Sequence, residues 1–143
     1  MEIVIDTSVI IALANEEADK DIDSVERIFR AIERGQARAW ISSITVAEIY
    51  ALYAKEGEIE RAGGIVAMMK KIGVGIVQVS EDIAKEGGVL KGEYRNITGF
   101  STADGIISAT ARKAGAIVIT YDPGFSSIEG IVAKKPEEIV HSF

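Results

Sequence analysis

Asp6, Glu48, Asp104 and Asp122 are acidic residues set in apolar surroundings. Asp6 closes the run IVID, and Glu48 interrupts ITVAEIYALYA. Asp104 lies within STADGIISATA, and Asp122 follows AIVITY. A carboxylate in such a place is costly unless it is paired or binds a cation. Four of them converging on one point would repel each other strongly without positive charge between them. An oxygen-only donor set suits hard cations, Mg²⁺ or Mn²⁺. Two such ions about 4 Å apart activate a water and stabilise the leaving oxygen of a phosphodiester. The chemistry expected of these residues is metal-dependent phosphate-ester hydrolysis, which does not by itself select RNA.

Each acid also has a purely local use. Asp6 can cap a helix that starts near Ser8. Glu48 can be a partly exposed helix residue, and Asp104 can complement a helix N-terminus. Asp122 opens YDPG, a strong β-turn signal with Pro123 and Gly124 suited to its central positions. What favours the shared site is that all four map to one edge of the same sheet. Small hydroxyls accompany them. Thr7 and Ser8 follow Asp6, Ser43 and Thr45 precede Glu48, and Thr120 precedes Asp122. Their expected role is to orient carboxylates or hold a water. Lys91, Arg95, Arg112 and Lys113 are candidates for phosphate contacts, and Trp40, Phe29 and Tyr50 are expected to pack.

The elements that must position these residues follow from apolar periodicity. Residues 2–6 predict a buried strand, and 8–15 a short helix. An amphipathic helix over 20–34 places Val25, Ile28, Phe29 and Ile32 on one face and ends at Gly35. A strand at about 39–42 precedes helices over 43–56 and 58–72, divided near Gly57. Residues 74–79 predict a strand, and Ser80 caps a helix that Gly87 and Gly88 should weaken. Ser101 or Thr102 caps a helix over 102–114. Strands are expected at 116–120 and 130–133. Strands alternating with helices imply βαβ units and a mostly parallel sheet covered on both faces. Ligands of such sheets bind beyond the carboxyl ends of the strands. Asp6 and Asp122 follow strands there, while Glu48 and Asp104 lie near the starts of helices.

Composition narrows the chemistry further. The 143 residues, 48% of them hydrophobic and 27% charged, fit one globular domain spanning 1–143. The chain has no cysteine, and its one histidine is His141. Disulfides, thiolate metal sites, and Ser-His or Cys-His catalysis therefore have almost nothing to work with. The net charge of −6 argues against nucleic acid as a partner, but the objection weakens once the four carboxylates are set aside, which leaves −2. The chain opens on a strand-like run with no basic n-region, and VIIALA is too short to span a bilayer. A cytoplasmic protein with no membrane association is expected.

The segments IVIDTSVIIAL, ISSITVAEIYAL and STADGIISATARKAGAIVITYDPGF resemble a PIN domain, in particular the VapC-type toxin nucleases. The likeness runs from about Glu2 to Phe125. It implies a PIN-like three-layer sandwich, with a mostly parallel central sheet flanked by helices. It matches the family's acidic quartet to Asp6, Glu48, Asp104 and Asp122, as both catalytic residues and metal ligands. Thr7, Ser8 and Thr120 fall at the accompanying hydroxyl positions. The resemblance further implies a Mg²⁺- or Mn²⁺-dependent endoribonuclease acting on RNA, a homodimer, and a VapB-type antitoxin. An antitoxin tail would lie in an apolar groove, which the helices at 8–15 and 43–72 are best placed to line. Other readings stand beside this one: a stand-alone PIN-domain RNA-processing nuclease, and a non-catalytic PIN-like scaffold. An Asp-nucleophile phosphotransferase would want an acid two residues after Asp6, where Ser8 stands.

Overall fold

The computed structural model describes all 143 residues. Its centre is a five-stranded sheet in the order β3-β2-β1-β4-β5. The strands are β1 (Glu2–Ile5), β2 (Arg38–Ser42), β3 (Gly75–Val77), β4 (Ile117–Ile119) and β5 (Ala133–Lys134). Every pairing is parallel. In β1, Val4 lies opposite Trp40 of β2 on one side and Val118 of β4 on the other. A central parallel strand is covered on both faces, which is why β1 is written almost wholly in Ile and Val.

The helices form two outer layers. Ile3 and Ile5 of β1 point into the larger core, with α1 (Thr7–Ala14), α2 (Ile22–Glu33), α3 (Ser43–Lys55), α4 (Ile59–Lys71) and the short α7 (Pro136–Ile139). Val4 points the other way, to a core shared with α6 (Thr102–Ala114). Outside that core α5 (Glu81–Glu93) packs on α6 through Ile83, Leu90 and Ile106. This is the expected three-layer sandwich, and the sheet is entirely parallel. Val25, Ile28, Phe29 and Ile32 of α2 are all buried, so the helical period correctly located that face. Caps set the helix starts: Ser42 accepts from the Ile44 amide, Ser80 from that of Ile83, and Asp21 from that of Ser24.

Two strand bounds differ from expectation. The strand at 74–79 shrinks to Gly75–Val77, because only this stretch pairs with β2. The last strand lies at Ala133–Lys134 and not at 130–133. Gly130 adopts φ 81°, which belongs to the turn before the strand. Lys134 then accepts from the Thr120 amide at 2.9 Å. Gly87 and Gly88, expected to weaken the helix, lie inside an unbroken α5. A Cβ at Gly87 would lie 2.8 Å from the Ile106 Cα, and one at Gly105 would lie 2.3 Å from the Gly87 carbonyl oxygen. Gly87 and Gly105 are the point where α5 and α6 meet backbone to backbone. The helix-propensity cost of Gly87 is the condition for that close approach.

Candidate functional site

The four acids come from four separate segments and line one open cavity of about 450 Å³ at the carboxyl edge of the sheet. Asp6 leaves the end of β1 and stands just before α1. Glu48 lies in the second turn of α3, Asp104 in the first turn of α6, and Asp122 just beyond β4. Thr7 and Ser8 line the same cavity.

Each carboxylate has one oxygen anchored by the protein. Asp6 Oδ2 accepts from Ser8 Oγ at 2.7 Å and from Thr120 Oγ1 at 2.8 Å. Glu48 Oε1 accepts from Thr7 Oγ1 at 2.6 Å. Asp104 Oδ2 accepts from the Ser101 amide at 2.8 Å, one half of a capping box in which Ser101 Oγ accepts from the Asp104 amide. Asp122 Oδ1 accepts from the Gly124 amide at 2.8 Å. The second oxygen of each acid makes no hydrogen bond to protein. Asp104 does complement the start of α6, while Asp122, expected to open a β-turn, caps a short 3₁₀ helix over Pro123–Ser127; both local roles coexist with the shared cavity. One oxygen serves the local fold while the other stays free. In these side-chain positions no three acids form a ready-made cage for an ion. Four part-anchored carboxylates with free oxygens nevertheless make a donor set suited to hard cations, with no nitrogen or sulfur among them.

The electrostatics match that geometry. Burial pushes the Asp6 carboxyl above the ordinary carboxylate range. Hydrogen bonds from Ser8 and Thr120 pull it back, while the charges of Asp104 and Asp122 act with burial. Burial also raises Glu48, opposed by Thr7 and reinforced by Asp6 and Asp104. Burial raises Asp104 against its Ser101 bonds, with Asp122 adding to the rise and Lys91 opposing it. Three carboxyls that resist ionising in one cavity are a place where positive charge would be strongly favoured.

The hydroxyls divide. Thr120 Oγ1 donates to Asp6 and accepts from the Asp122 amide at 2.9 Å, tying two acids together. Ser8 Oγ donates to Asp6 and accepts from the Tyr121 amide at 3.1 Å, which ties α1 to the strand end. Buried Thr45 lies 3.0 Å from Thr7, behind the hydroxyl that holds Glu48. Ser43 is turned away and accepts from the Val79 amide.

The basic residues proposed from sequence are largely committed elsewhere. Lys91 donates to the Phe100 carbonyl at 2.6 Å, and Arg95 to that of Gly92. Arg112 pairs with Glu86 at 3.0 Å and reaches the Glu129 carbonyl. Trp40 packs at the sheet and donates to Glu2. Ile11, Glu17, Lys20 and Tyr121 line the acidic cavity without having been anticipated. Glu17 lies in a turn without periodic or motif signal, and Lys20, expected to open the helix over 20–34, falls in that same turn because α2 begins at Ile22.

A toxin–antitoxin complex from Klebsiella pneumoniae is 25% identical, covers 93% of this chain and 96% of its own, and superposes with a TM-score of 0.64. VapBC2 of Rickettsia felis, solved bound to a promoter DNA fragment, is 20% identical with a TM-score of 0.75, covering 94% of this chain and 98% of that one. VapC20 of Mycobacterium tuberculosis, a sarcin-ricin loop cleaving toxin, is 20% identical with a TM-score of 0.71, covering 87% and 93%. No curated protein matches by sequence. The family model for the PIN domain matches residues 3–131, from the first strand through all four acids, so the chain belongs to the PIN domain family.

Proposed function

We propose that this protein is a Mg²⁺- or Mn²⁺-dependent endoribonuclease that hydrolyses RNA phosphodiester bonds, acting as the toxin of a VapBC-type toxin–antitoxin pair. The observation that carries this reading is the convergence of Asp6, Glu48, Asp104 and Asp122 on one cavity, each with one oxygen anchored and one free. Those free oxygens would hold the ion or ions. A divalent cation there would lower the pKa of a water and neutralise charge building on the phosphate. The protein's part is positional. Thr7, Ser8, Ser101 and Thr120 fix the directions of the acids before substrate arrives, so little reorganisation is needed during the reaction. No histidine base is called for, in keeping with a chain whose one histidine lies at residue 141.

Family membership and the fold shared with a toxin that cleaves the sarcin-ricin loop support an RNA substrate. An antitoxin partner is supported by the VapBC and toxin–antitoxin complexes among the fold relatives and by an apolar groove between α1 and α4. The groove, about 410 Å³, is lined by Ile10, Leu13, Ile65, Met68 and Met69, with Arg61 beside them. An amphipathic antitoxin helix or extended tail would lay its apolar residues there. This refines the expected lining to α1 and the second half of the 43–72 segment. Homodimerisation and a cytoplasmic location belong to the same proposal. No helix is long and apolar enough to cross a membrane.

The test is RNA cleavage by the purified protein with Mg²⁺, Mn²⁺ or EDTA, beside a folded Asp104→Asn variant. Cleavage that needs the cation and is lost in the variant is expected. An absence of cutting across a broad RNA panel, with any co-purifying inhibitor removed, would leave a non-catalytic PIN scaffold.

A further inference from the structure

The acidic cavity contains one cation. Of the ten residues that line it, five are acidic and only Lys20 is basic. Lys20 belongs to the turn between α1 and α2, and that turn is held in place. The Lys20 amide donates to the Glu17 carbonyl at 3.1 Å, and the Lys20 carbonyl accepts from the Ile22 amide at 3.0 Å. Its ammonium lies 5.1 Å from the centroid of the Tyr121 ring. Tyr121 is registered to the acids in turn, since its amide donates to the same Ser8 hydroxyl that binds Asp6. A chain of contacts thus runs from Asp6 through Ser8 and Tyr121 to the Lys20 ammonium.

The side chain is 28% exposed, low for a lysine. Its one carboxylate partner, Asp19 at 3.2 Å, is 76% exposed, so that pair is weak and easily exchanged for another anion. Lys91, whose charge acts on Asp104, has its ammonium on the Phe100 carbonyl and does not line the cavity. Besides any ions held by the acids, Lys20 is the one positive side chain in the cavity lining that an entering polyanion can meet.

We infer that Lys20 is a substrate-binding residue that holds an RNA phosphate beside the one being cleaved. This rests on the RNA-cleaving role proposed above. Tyr121 lies beside the ammonium and links it through Ser8 to the Asp6 end of the cavity.

The experiment compares wild type, Lys20→Met and Lys20→Arg on one short single-stranded RNA in Mg²⁺. It reads steady-state cleavage at several salt concentrations and the Mg²⁺ concentration for half-maximal rate. Lys20→Met should raise KM about tenfold, as expected for loss of a charged hydrogen bond. It should leave kcat within about twofold, and reduce the salt slope of log KM by about 0.7, the value for one single-strand phosphate contact. Lys20→Arg should recover most of the KM, and half-saturation by Mg²⁺ should stay where it is. Unchanged KM and salt slope in Lys20→Met, with wild type cutting normally, would overturn the assignment of Lys20 and leave the nuclease reading standing. A shifted Mg²⁺ midpoint with unchanged salt slope would also overturn it, because Lys20 would then act on the acids and not on RNA. If wild type cuts no RNA, the proposed function falls and this assignment falls with it.

Discussion

A methyl group added at Gly105 would sit 2.3 Å from the Gly87 carbonyl oxygen, on the next helix and in the backbone. An ordinary carbon–oxygen contact needs roughly 3.3 Å, so the α5–α6 pair would have to open by about 1 Å. Backbone cannot swing aside as a side chain can. Overpacking of a close-packed interior costs about 1–3 kcal/mol, and a clash with main chain belongs at the upper end. Against that, alanine gains about 1 kcal/mol over glycine inside a helix. The net for Gly105→Ala is a loss of about 2 kcal/mol. Gly88 supplies the control one residue along from Gly87: it lies within α5, and a Cβ there meets nothing within 4 Å. Gly88→Ala should keep the helix gain alone, about 1 kcal/mol of added stability.

For a domain of 143 residues, roughly 3 °C of melting temperature accompanies each kcal/mol. Gly105→Ala should melt roughly 6 °C lower than wild type, and Gly88→Ala roughly 3 °C higher. Thermal unfolding by circular dichroism in EDTA, with urea midpoints as a second measure, reads both signs. Asp104 precedes Gly105, so the opened contact should also displace one of the four acids and reduce any cleavage activity. A Gly105→Ala protein that melts at or above wild type would refute the backbone-to-backbone contact, and with it the explanation of why α5 carries a glycine at 87.

The cavity predicts an unusual pH response without divalent cation. Asp6, Glu48 and Asp104 are all raised, so each binds its proton more tightly folded than unfolded. Their contribution to stability is full below the ordinary carboxylate pKa and is lost as pH rises through the folded values. In EDTA, stability from these groups should therefore increase from neutral pH towards the ordinary carboxylate range, and Asp6→Asn should flatten that slope; a profile unchanged by Asp6→Asn would contradict the reading. Divalent cation should reverse the cost. Mg²⁺ at a hundred times its Kd would stabilise the fold by about 2.7 kcal/mol. Asp104→Asn should show a much smaller rise in melting temperature over the same titration, and equal rises in the two proteins would place the ion elsewhere.

The strand–helix alternation, the helix caps and the acids themselves were legible along the chain because each is a local pattern. A buried parallel strand needs Ile and Val on both faces, α2 needs its apolar residues at helical spacing, and a carboxylate in apolar sequence stands out. The edge of the sheet was legible as well, since Asp6 and Asp122 follow strands and ligands of such sheets gather beyond strand ends. Other features were settled only when distant segments met. Gly87 reads as a helix-weakening residue until Gly105 is placed against it. Ser43 and Thr45 look alike beside Glu48, yet Ser43 accepts from Val79 while Thr45 backs Thr7. Lys91 and Arg112 look free but are bound within the fold, whereas Lys20, read as the first residue of a helix, lies in the turn before it and stands over Tyr121 in the acidic cavity. Local physics chooses helix, strand and cap from neighbours a few residues away. Which hydroxyl faces which carboxylate, and which cation stays available, depends on strand order and helix packing, and these bring together residues as far apart as Asp6 and Thr120.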